Sequence, residues 1–292
     1  MGKPTIRILK PGDEAALEAF LLSRIESSMF LIGNMRESSL VDTGQPYTGT
    51  YVAAFEGERI IGVVAHYWNQ NLVLQAPVHL NPLWQAAAEA SQRPIAGLIG
   101  PNNQVNAAKA VLKVDESKIQ LDSREKLYSL RLADLHVPND LRSGRVMGRR
   151  IEARDLELIV EWRVAYSTEA VGDEESPHLW QTCRASVERS LKERRTWILE
   201  DSGEPVATSS FNTEIKEAVQ IGGVWTPPNL RRRGYGRAVL AASLLEARHA
   251  GVEKAILFTE ESNIAAQTAY SALGFEEIGD YRLTLLRSPA FR

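Results

Sequence analysis

Positive charge and glycine are concentrated in one short run of the sequence: Arg231, Arg232, Arg233, Gly234, Tyr235, Gly236 and Arg237. The two glycines leave room for an anion to reach the backbone N–H groups, and the arginines attract it although the whole chain has a formal net charge of -3. Backbone N–H groups beside positive charge commonly bind phosphate. The run therefore predicts a site for a phosphate-bearing ligand. The alternative interpretation is a solvated arginine patch beside a plain helix entry.

The elements on either side of this run would hold it in place. Residues 218–225 are typical of a strand, which ends at Thr226-Pro227-Pro228 because proline lacks the hydrogen-bond donor that a central strand needs. Residues 237–248 are rich in helix formers with apolar spacing of three and four. The loop between them lacks the Lys-Ser/Thr ending of a P-loop and the third glycine of a Rossmann fingerprint, which disfavours nucleotide hydrolysis and hydride transfer.

A second motif follows at a short distance. Residues 255–259 are typical of a strand, and after Glu260-Glu261-Ser262-Asn263 a short helix is predicted from 264 to 273. Gly274 is a typical helix stop, and Phe275 resumes the extended chain.

Together the two motifs resemble those of the GCN5-related N-acetyltransferase (GNAT) superfamily. Its acetyl-CoA loop has the form Gln/Arg-x-x-Gly-x-Gly/Ala, matched here by Arg231-x-x-Gly234-x-Gly236. Its next motif corresponds to Asn263-x-x-Ala266-x-x-x-Tyr270-x-x-x-Gly274-Phe275. The resemblance covers 149–292 in element order. It implies an α/β (α+β) fold of two tandem GNAT-like domains, each a mixed, mostly antiparallel twisted sheet flanked by helices.

The resemblance also implies roles for individual residues, with acetyl-CoA as cosubstrate. The amides of residues 231–237 would hold the pyrophosphate, and Asn263 would contact the pantetheine. Backbone groups of Val224, Trp225 and Thr226 would pair with the pantetheine arm like an added strand, and an N–H there could polarise the acetyl carbonyl. Tyr270 looks like the general acid that protonates the departing thiolate. The alternative for Tyr270 is ordinary aromatic packing.

Attack by an amine also requires a base, and the sequence does not identify it. Six carboxylates near the predicted site are candidates, although the first interpretation of each is a solvated charge: Glu214, Glu217, Glu169, Asp173, Glu174 and Glu175. His178 belongs to the same early loop, and no histidine has metal-ligand spacing, so no metal is expected.

The two halves of the chain share an order of features that indicates duplication. Residues 7–13 precede a predicted helix at 14–22, as residues 149–155 precede one at 156–166, and Asp13 and Asp155 are predicted to cap these helices. Hairpins at 51–65 and 197–208 and final strands at 127–132 and 281–286 follow in the same order. With a turn-rich junction at 138–144, the predicted domains are 1–138 and 145–292.

The first domain is predicted to be degenerate. Residues 95–105, ahead of a helix at 106–112, take the place of the cofactor loop in this prediction, and they lack the arginine and the paired glycines. This half would then pack against the working one and help shape the acceptor pocket. A second, altered binding site is the alternative.

Composition limits the remaining classes of protein. With 44% hydrophobic and 24% charged residues and no long apolar stretch, the 292-residue chain is expected to be soluble and cytoplasmic, with no membrane or nucleic-acid partner. Cys183 is the only cysteine, which excludes an intramolecular disulfide and fits a buried small side chain.

The predicted function is acetyl transfer from acetyl-CoA to a primary amine of a small acceptor by direct attack. A CoA-binding regulatory or scaffold protein is the alternative, and a homodimer is left open.

Overall fold

The computed structural model describes residues 4–290, which form two compact units. One unit extends to Lys126 and also takes in the segment that begins at Gly279, and the other is Leu127–Ile278. This grouping differs from the continuous ranges 1–138 and 145–292, because the final strand pairs with a strand of the first unit: Tyr281 lies opposite Pro101, and Leu285 opposite Gly97. The domain bounds 1–138 and 145–292 remain a prediction.

The first unit is a mixed sheet with helices on its connections. Its strands lie in the order β1-β2-β3-β4-β5-β12. Neighbours are antiparallel except β4 and β5, which are parallel. Its elements are β1 (Thr5–Ile8), α1 (Glu14–Leu22), α2 (Ile25–Ser38), β2 (Gly49–Glu56), β3 (Arg59–Tyr67), β4 (Asn71–Gln75), α3 (Leu80–Ser91), β5 (Ile95–Pro101), α4 (Asn102–Leu112), the first part of β6 (Ile119–Arg131), and most of β12 (Glu276–Ala290).

The second unit repeats this plan. Its strands lie in the order β6-β11-β10-β9-β8-β7. Strands β10 and β11 are parallel, whereas the pairs β7–β8, β8–β9 and β9–β10 are antiparallel. Its elements after β6 are α5 (Asn139–Arg142), β7 (Val146–Arg150), α6 (Leu156–Tyr166), α7 (Pro177–Glu193), β8 (Thr196–Asp201), β9 (Glu204–Glu214), β10 (Ala218–Trp225), α8 (Tyr235–His249), β11 (Lys254–Glu260) and α9 (Ile264–Ser271). The predicted fold class, two mixed and mostly antiparallel sheets flanked by helices, is confirmed.

Hydrophobic periodicity located most of these elements correctly. The bounds of α1, α6 and β10 are those predicted from the sequence, and both hairpins form where they were expected. The turn-rich residues at 138–144 contain the short helix α5 instead of an open linker. Cys183 lies on α7 with 3% of its surface exposed, as predicted, and burial raises the pKa of its thiol.

The start of each unit carries the same ion pair, which supports duplication. Arg7 donates two hydrogen bonds to Asp13 (2.7 and 2.6 Å), and Arg149 donates two to Asp155 (2.6 and 2.9 Å). Each carboxylate also accepts from the N–H three residues earlier. Asp13 and Asp155 occupy the N-cap positions of α1 and α6, as predicted, but their carboxylates accept from guanidinium and loop N–H donors and make no hydrogen bond to the N–H groups of the helix.

No helix between residues 4 and 290 combines the length and hydrophobicity that crossing a bilayer requires. Over the same residues, no group of three or more His, Cys, Asp or Glu side chains could hold a metal ion.

Candidate functional site

The loop before α8 presents a row of unpaired backbone donors. The N–H groups of Leu230 and Arg231 donate within a turn, and that of Ala238 donates to the carbonyl of Gly234 at 3.0 Å. Among the described residues, no protein acceptor is recorded for the six N–H groups between them, from Arg232 to Arg237. Three belong to the first helical turn, whose donors have no partner within the helix. The loop is therefore built to receive an anion.

The backbone of this loop turns sharply to direct those donors. Arg232 and Gly234 have φ angles of 63° and 80°, in the left-handed region. Such alternation produces a concave group of N–H donors. A Cβ at Gly234 would have only one atom within 4 Å, the Arg237 Nη2 at 3.9 Å, so the space over the glycine is open. A Cβ at Gly236 would lie 3.4 Å from the hydroxyl oxygen of Thr226, which places the first turn of α8 against the end of β10.

The four arginines of the loop divide into two kinds. Arg232, Arg233 and Arg237 are exposed and make no hydrogen bond or ion pair with a described side chain. Arg231 is engaged: its Nε donates to the carbonyl of Thr226 (3.0 Å), its Nη2 to Glu169 (2.9 Å), and its guanidinium lies 4.7 Å from the ring centre of Trp225. Three guanidinium groups are thus available for phosphate oxygens.

The side chain of Tyr235 points away from the loop. It is 6% exposed, and its hydroxyl donates to Asp201 at 2.5 Å, which lowers the pKa of that carboxyl group. Its predicted place in the cofactor site therefore rests on its backbone N–H alone.

Strands β10 and β11 pair only over their first residues. The recorded partners are Ala218 with Lys254, Val219 with Ala255, and Gln220 with Ile256. Both strands then continue, β10 to Trp225 and β11 to Glu260, without further pairing to each other in the described structure. Backbone groups on the open edge of β10, in the segment that includes Val224, are thus placed to pair with an extended ligand.

A β-bulge interrupts β10 at this opening. Gly222 lies opposite Ser210 and Trp225 opposite Thr208, so two residues of β10 face one of β9. Gly223, within the bulge, has a φ of 62°, which glycine adopts without strain. Bulges redirect backbone and side-chain groups and often border functional sites. The sequence analysis missed this feature, although the Gly222-Gly223 pair inside a strand is a signal for it.

The second motif folds as predicted, and two of its residues have clear contacts. Asn263 caps α9, since its Oδ1 accepts from the N–H of Ala266 at 3.1 Å. Tyr270 is half-buried, with its ring centre 6.2 Å from that of Tyr128 and 6.0 Å from that of Phe275. These contacts fix the ring of Tyr270 on the helix that follows β11. The packing alternative and the catalytic role both fit this placement, so the role stays a prediction.

The first unit places its counterpart of the loop elsewhere than predicted. The parallel pair β4 and β5 corresponds to β10 and β11, so the segment that corresponds to the cofactor loop is 76–79, between β4 and α3. Residues 95–105 instead form β5 and the start of α4 with no loop between them. The error arose because both positions are strand-to-helix junctions, which one sequence cannot rank.

The corresponding opening in the first unit is closed by its own side chains. The N–H of Ala76 donates to Oε1 of Gln104 at 2.6 Å. A Cβ at Gly100 would come within 2.8 Å of the carbonyl oxygen of Leu74, so β4 and β5 stay close where β10 and β11 separate. These contacts support the degenerate character expected of the first domain.

The structure does not single out one of the six carboxylates as the base. Glu169 pairs with Arg231, and Glu175 accepts from the indole N–H of Trp180 at 3.0 Å. Glu217 lies 3.6 Å from Lys216. Their contacts give no reason to prefer any of the six, and the base stays unassigned.

Helix α6 contributes residues that the sequence analysis did not select. The guanidinium of Arg163 lies over the ring of Tyr166, 5.1 Å from its centre. Tyr166 in turn meets Trp225 edge-on, with ring centres 6.3 Å apart at 89°. No spacing marks these residues in the sequence, because their proximity to β10 arises only from the packing of α6 on the sheet.

Part of the chain matches a known family in sequence, and its fold is similar to that of several solved structures. Residues 156–275 match the model of the Acetyltransferase (GNAT) family. No curated protein matches the chain. Similar folds include a Drosophila protein (15% identity, TM-score 0.66, 97% of this chain and 99% of that one) and a GCN5-related N-acetyltransferase from Sphaerobacter thermophilus (14%, 0.60, 99% and 97%). A tandem GNAT protein from the clavulanic acid biosynthesis pathway also matches (14%, 0.57, 99% and 100%).

The sequence match lies in the unit that carries the anion loop, the open strand edge and the bulge. The fold matches extend over both units. Residues 156–275 therefore match the GNAT acetyltransferase family in sequence, and the fold of the chain is similar to that of a tandem GNAT protein.

Proposed function

We propose that this protein is an acetyl-CoA-dependent N-acetyltransferase that acts through its second unit. The observation that carries the proposal is the row of six unpaired N–H groups from Arg232 to Arg237 beside the open edge of β10. The loop fits a diphosphate, and the strand edge fits an extended amide-bearing arm such as pantetheine. Acetyl-CoA would supply both, together with an activated acetyl thioester.

Each part of the site then has a chemical task. The loop amides and Arg232, Arg233 and Arg237 would bind the phosphates, leaving Arg231 to brace Trp225 and Glu169. A backbone N–H near Val224, at the bulge, would donate to the thioester carbonyl and stabilise the negative charge that develops on its oxygen. Asn263, already the cap of α9, would contact the pantetheine.

Transfer would proceed by direct attack. The neutral amine nitrogen of the acceptor forms a bond to the carbonyl carbon while the carbon–sulfur bond breaks. Tyr270 donates its phenolic proton to the departing sulfur, and an unassigned base removes the proton from the attacking nitrogen. We expect a small amine as acceptor, with no nucleic acid or membrane involved and a cytoplasmic location. The first unit would bind no cofactor, and a homodimer stays open.

The second candidate is a CoA-binding regulatory or scaffold protein without turnover. The packing of Tyr270 against Tyr128 and Phe275 favours this candidate, because it gives the ring a structural role. The two candidates share the cofactor site and differ only in chemistry.

Thioester consumption separates them. Purified full-length protein is incubated with acetyl-CoA and a panel of primary amines, and free thiol and acetylated amine are measured together. Gly234→Glu, which puts a negative side chain into the open space over the loop, is the negative control and should abolish acetyl-CoA binding and turnover. Binding of acetyl-CoA without acetylation of any amine would reject the enzyme. Absence of binding would reject both candidates.

A further inference from the structure

Arg163 is a half-buried cation with no anionic partner among the described residues. Its guanidinium contacts the face of Tyr166, and it makes no hydrogen bond or ion pair with any residue from 4 to 290. Its neighbours are different: Arg231 pairs with Glu169, and Arg184 on α7 pairs with Glu157 on α6 at 2.5 Å. Burying a charge without a partner costs free energy, so an unpaired guanidinium inside a functional site indicates an anionic ligand.

This guanidinium stands at the reacting end of the proposed site. Its Nη1 lies 3.2 Å from where a Cβ on Gly223 would be, so it covers the glycine of the bulge directly before Val224. The proposed diphosphate site is at the other end of the ligand, at the start of α8. Arg163 is therefore placed against the thioester region, where the acceptor must approach.

The wall around Arg163 contains a second donor without an acceptor. Trp225, in ring contact with Tyr166, is 7% exposed, and its indole Nε1 is buried with no hydrogen-bond partner in the described structure. A partnerless indole N–H beside the unpaired Arg163 guanidinium favours a ligand with acceptor oxygens.

We propose that Arg163 binds a carboxylate of the acceptor, so that the acetylated substrate is a small amino acid or other amino carboxylate. This inference rests on the proposed function. One unpaired guanidinium matches one carboxylate in charge and in its two-pronged hydrogen-bonding geometry. Its positive charge also disfavours the ammonium form of a nearby amine, which lowers the amine's pKa toward the reactive neutral form. Acceptors with cationic groups only would be repelled.

The test compares matched acceptors that differ only in the carboxylate. Initial rates with acetyl-CoA are measured for lysine against cadaverine, ornithine against putrescine, and glycine against glycinamide, with phosphoethanolamine as an acceptor bearing a different anion. We expect kcat/KM to be at least 10-fold higher for the carboxylate member of each pair. Equal or inverted rates, or a preference for phosphoethanolamine, would overturn the carboxylate assignment while leaving acetyl transfer intact.

Substitution of Arg163 tests whether this residue causes the preference for acceptors with a carboxylate. Arg163→Gln should lower kcat/KM for amino carboxylates about 10- to 100-fold, mainly through KM, the loss expected for a hydrogen bond between charged groups. The variant should leave unchanged both the kcat/KM for acceptors without a carboxylate and the KM for acetyl-CoA. Arg163→Lys, which keeps the charge without the fork, should retain part of the preference. Arg184→Gln is the matched control on the neighbouring helix and should change neither class of acceptor.

Two results would contradict the assignment. An equal fall in kcat for both classes of acceptor with Arg163→Gln would mean that Arg163 acts on the reacting carbonyl instead of the substrate carboxylate. No turnover with any amine, carboxylate or not, would reject the proposed function and this inference with it. If Arg163→Gln fails to fold, the acceptor pairs measured on the wild-type protein still decide the question.

Discussion

Two glycines at opposite ends of α8 permit a controlled test of the anion loop. Gly234 and Gly251 have φ angles of 80° and 88°, and a Cβ at either would meet no atom closer than 3.9 Å. Alanine at either position therefore introduces backbone strain without a steric clash. The expected cost is about 1 kcal/mol of unfolding free energy for each variant. This corresponds to a fall of roughly 2–4 °C in Tm for a protein of this size.

The two variants should differ in cofactor binding. A methyl group at residue 234 enters the open space beside the six unpaired N–H groups, whereas one at residue 251 lies at the far end of the helix. A hydrogen bond to a charged group contributes about 1.5–3 kcal/mol. Loss of one such bond to a diphosphate would raise the Kd for acetyl-CoA by about 10- to 100-fold in Gly234→Ala.

Calorimetric titration with acetyl-CoA and urea unfolding measure the two effects separately. We expect equal destabilisation of the two variants and weaker binding only in Gly234→Ala. Wild-type affinity in Gly234→Ala would refute the assignment of the loop as the diphosphate site. Equal losses of affinity in both variants would show that strain in α8 is responsible, and the loop would again be unassigned.

Three further predictions concern single side chains. Tyr270→Phe should lower kcat by about 10²- to 10⁴-fold and leave the Kd for acetyl-CoA unchanged, since the packed ring remains; an unchanged kcat would favour the packing alternative. Gly236→Ala should raise the unfolding free energy by about 0.5–1 kcal/mol with cofactor binding retained, because its Cβ makes only ordinary contacts and the residue is helical; weaker acetyl-CoA binding in calorimetry would contradict this. The Arg7 guanidinium lowers the pKa of Asp13 from 3.8 to about 2, so this carboxylate stabilises the fold above pH 4 and the stabilisation is lost as the pH falls toward 2. The stability gap between wild type and Asp13→Asn, measured by urea unfolding, should narrow over that range, and a constant gap would exclude the linkage.

Local patterns predicted the elements that carry the site. The bounds of β10 and the glycine loop before α8 follow from strand alternation and glycine spacing, which act over a few residues. Contacts with residues farther along the chain were harder to predict from the sequence. The aspartates at the start of each unit looked like helix caps, yet their oxygens are held by arginines six residues earlier.

The sequence by itself determined the strand, glycine loop and helix that could bind a phosphate, together with the order of elements in two similar halves. Tertiary structure decided which segment of the first unit corresponds to that loop, and it closed the opening there with Gln104. It also separated β10 from β11, engaged Arg231 with Glu169, and left Arg163 unpaired over Gly223. These outcomes depend on contacts between residues far apart in the chain, and the geometry of such contacts is set by packing of helices on the sheet.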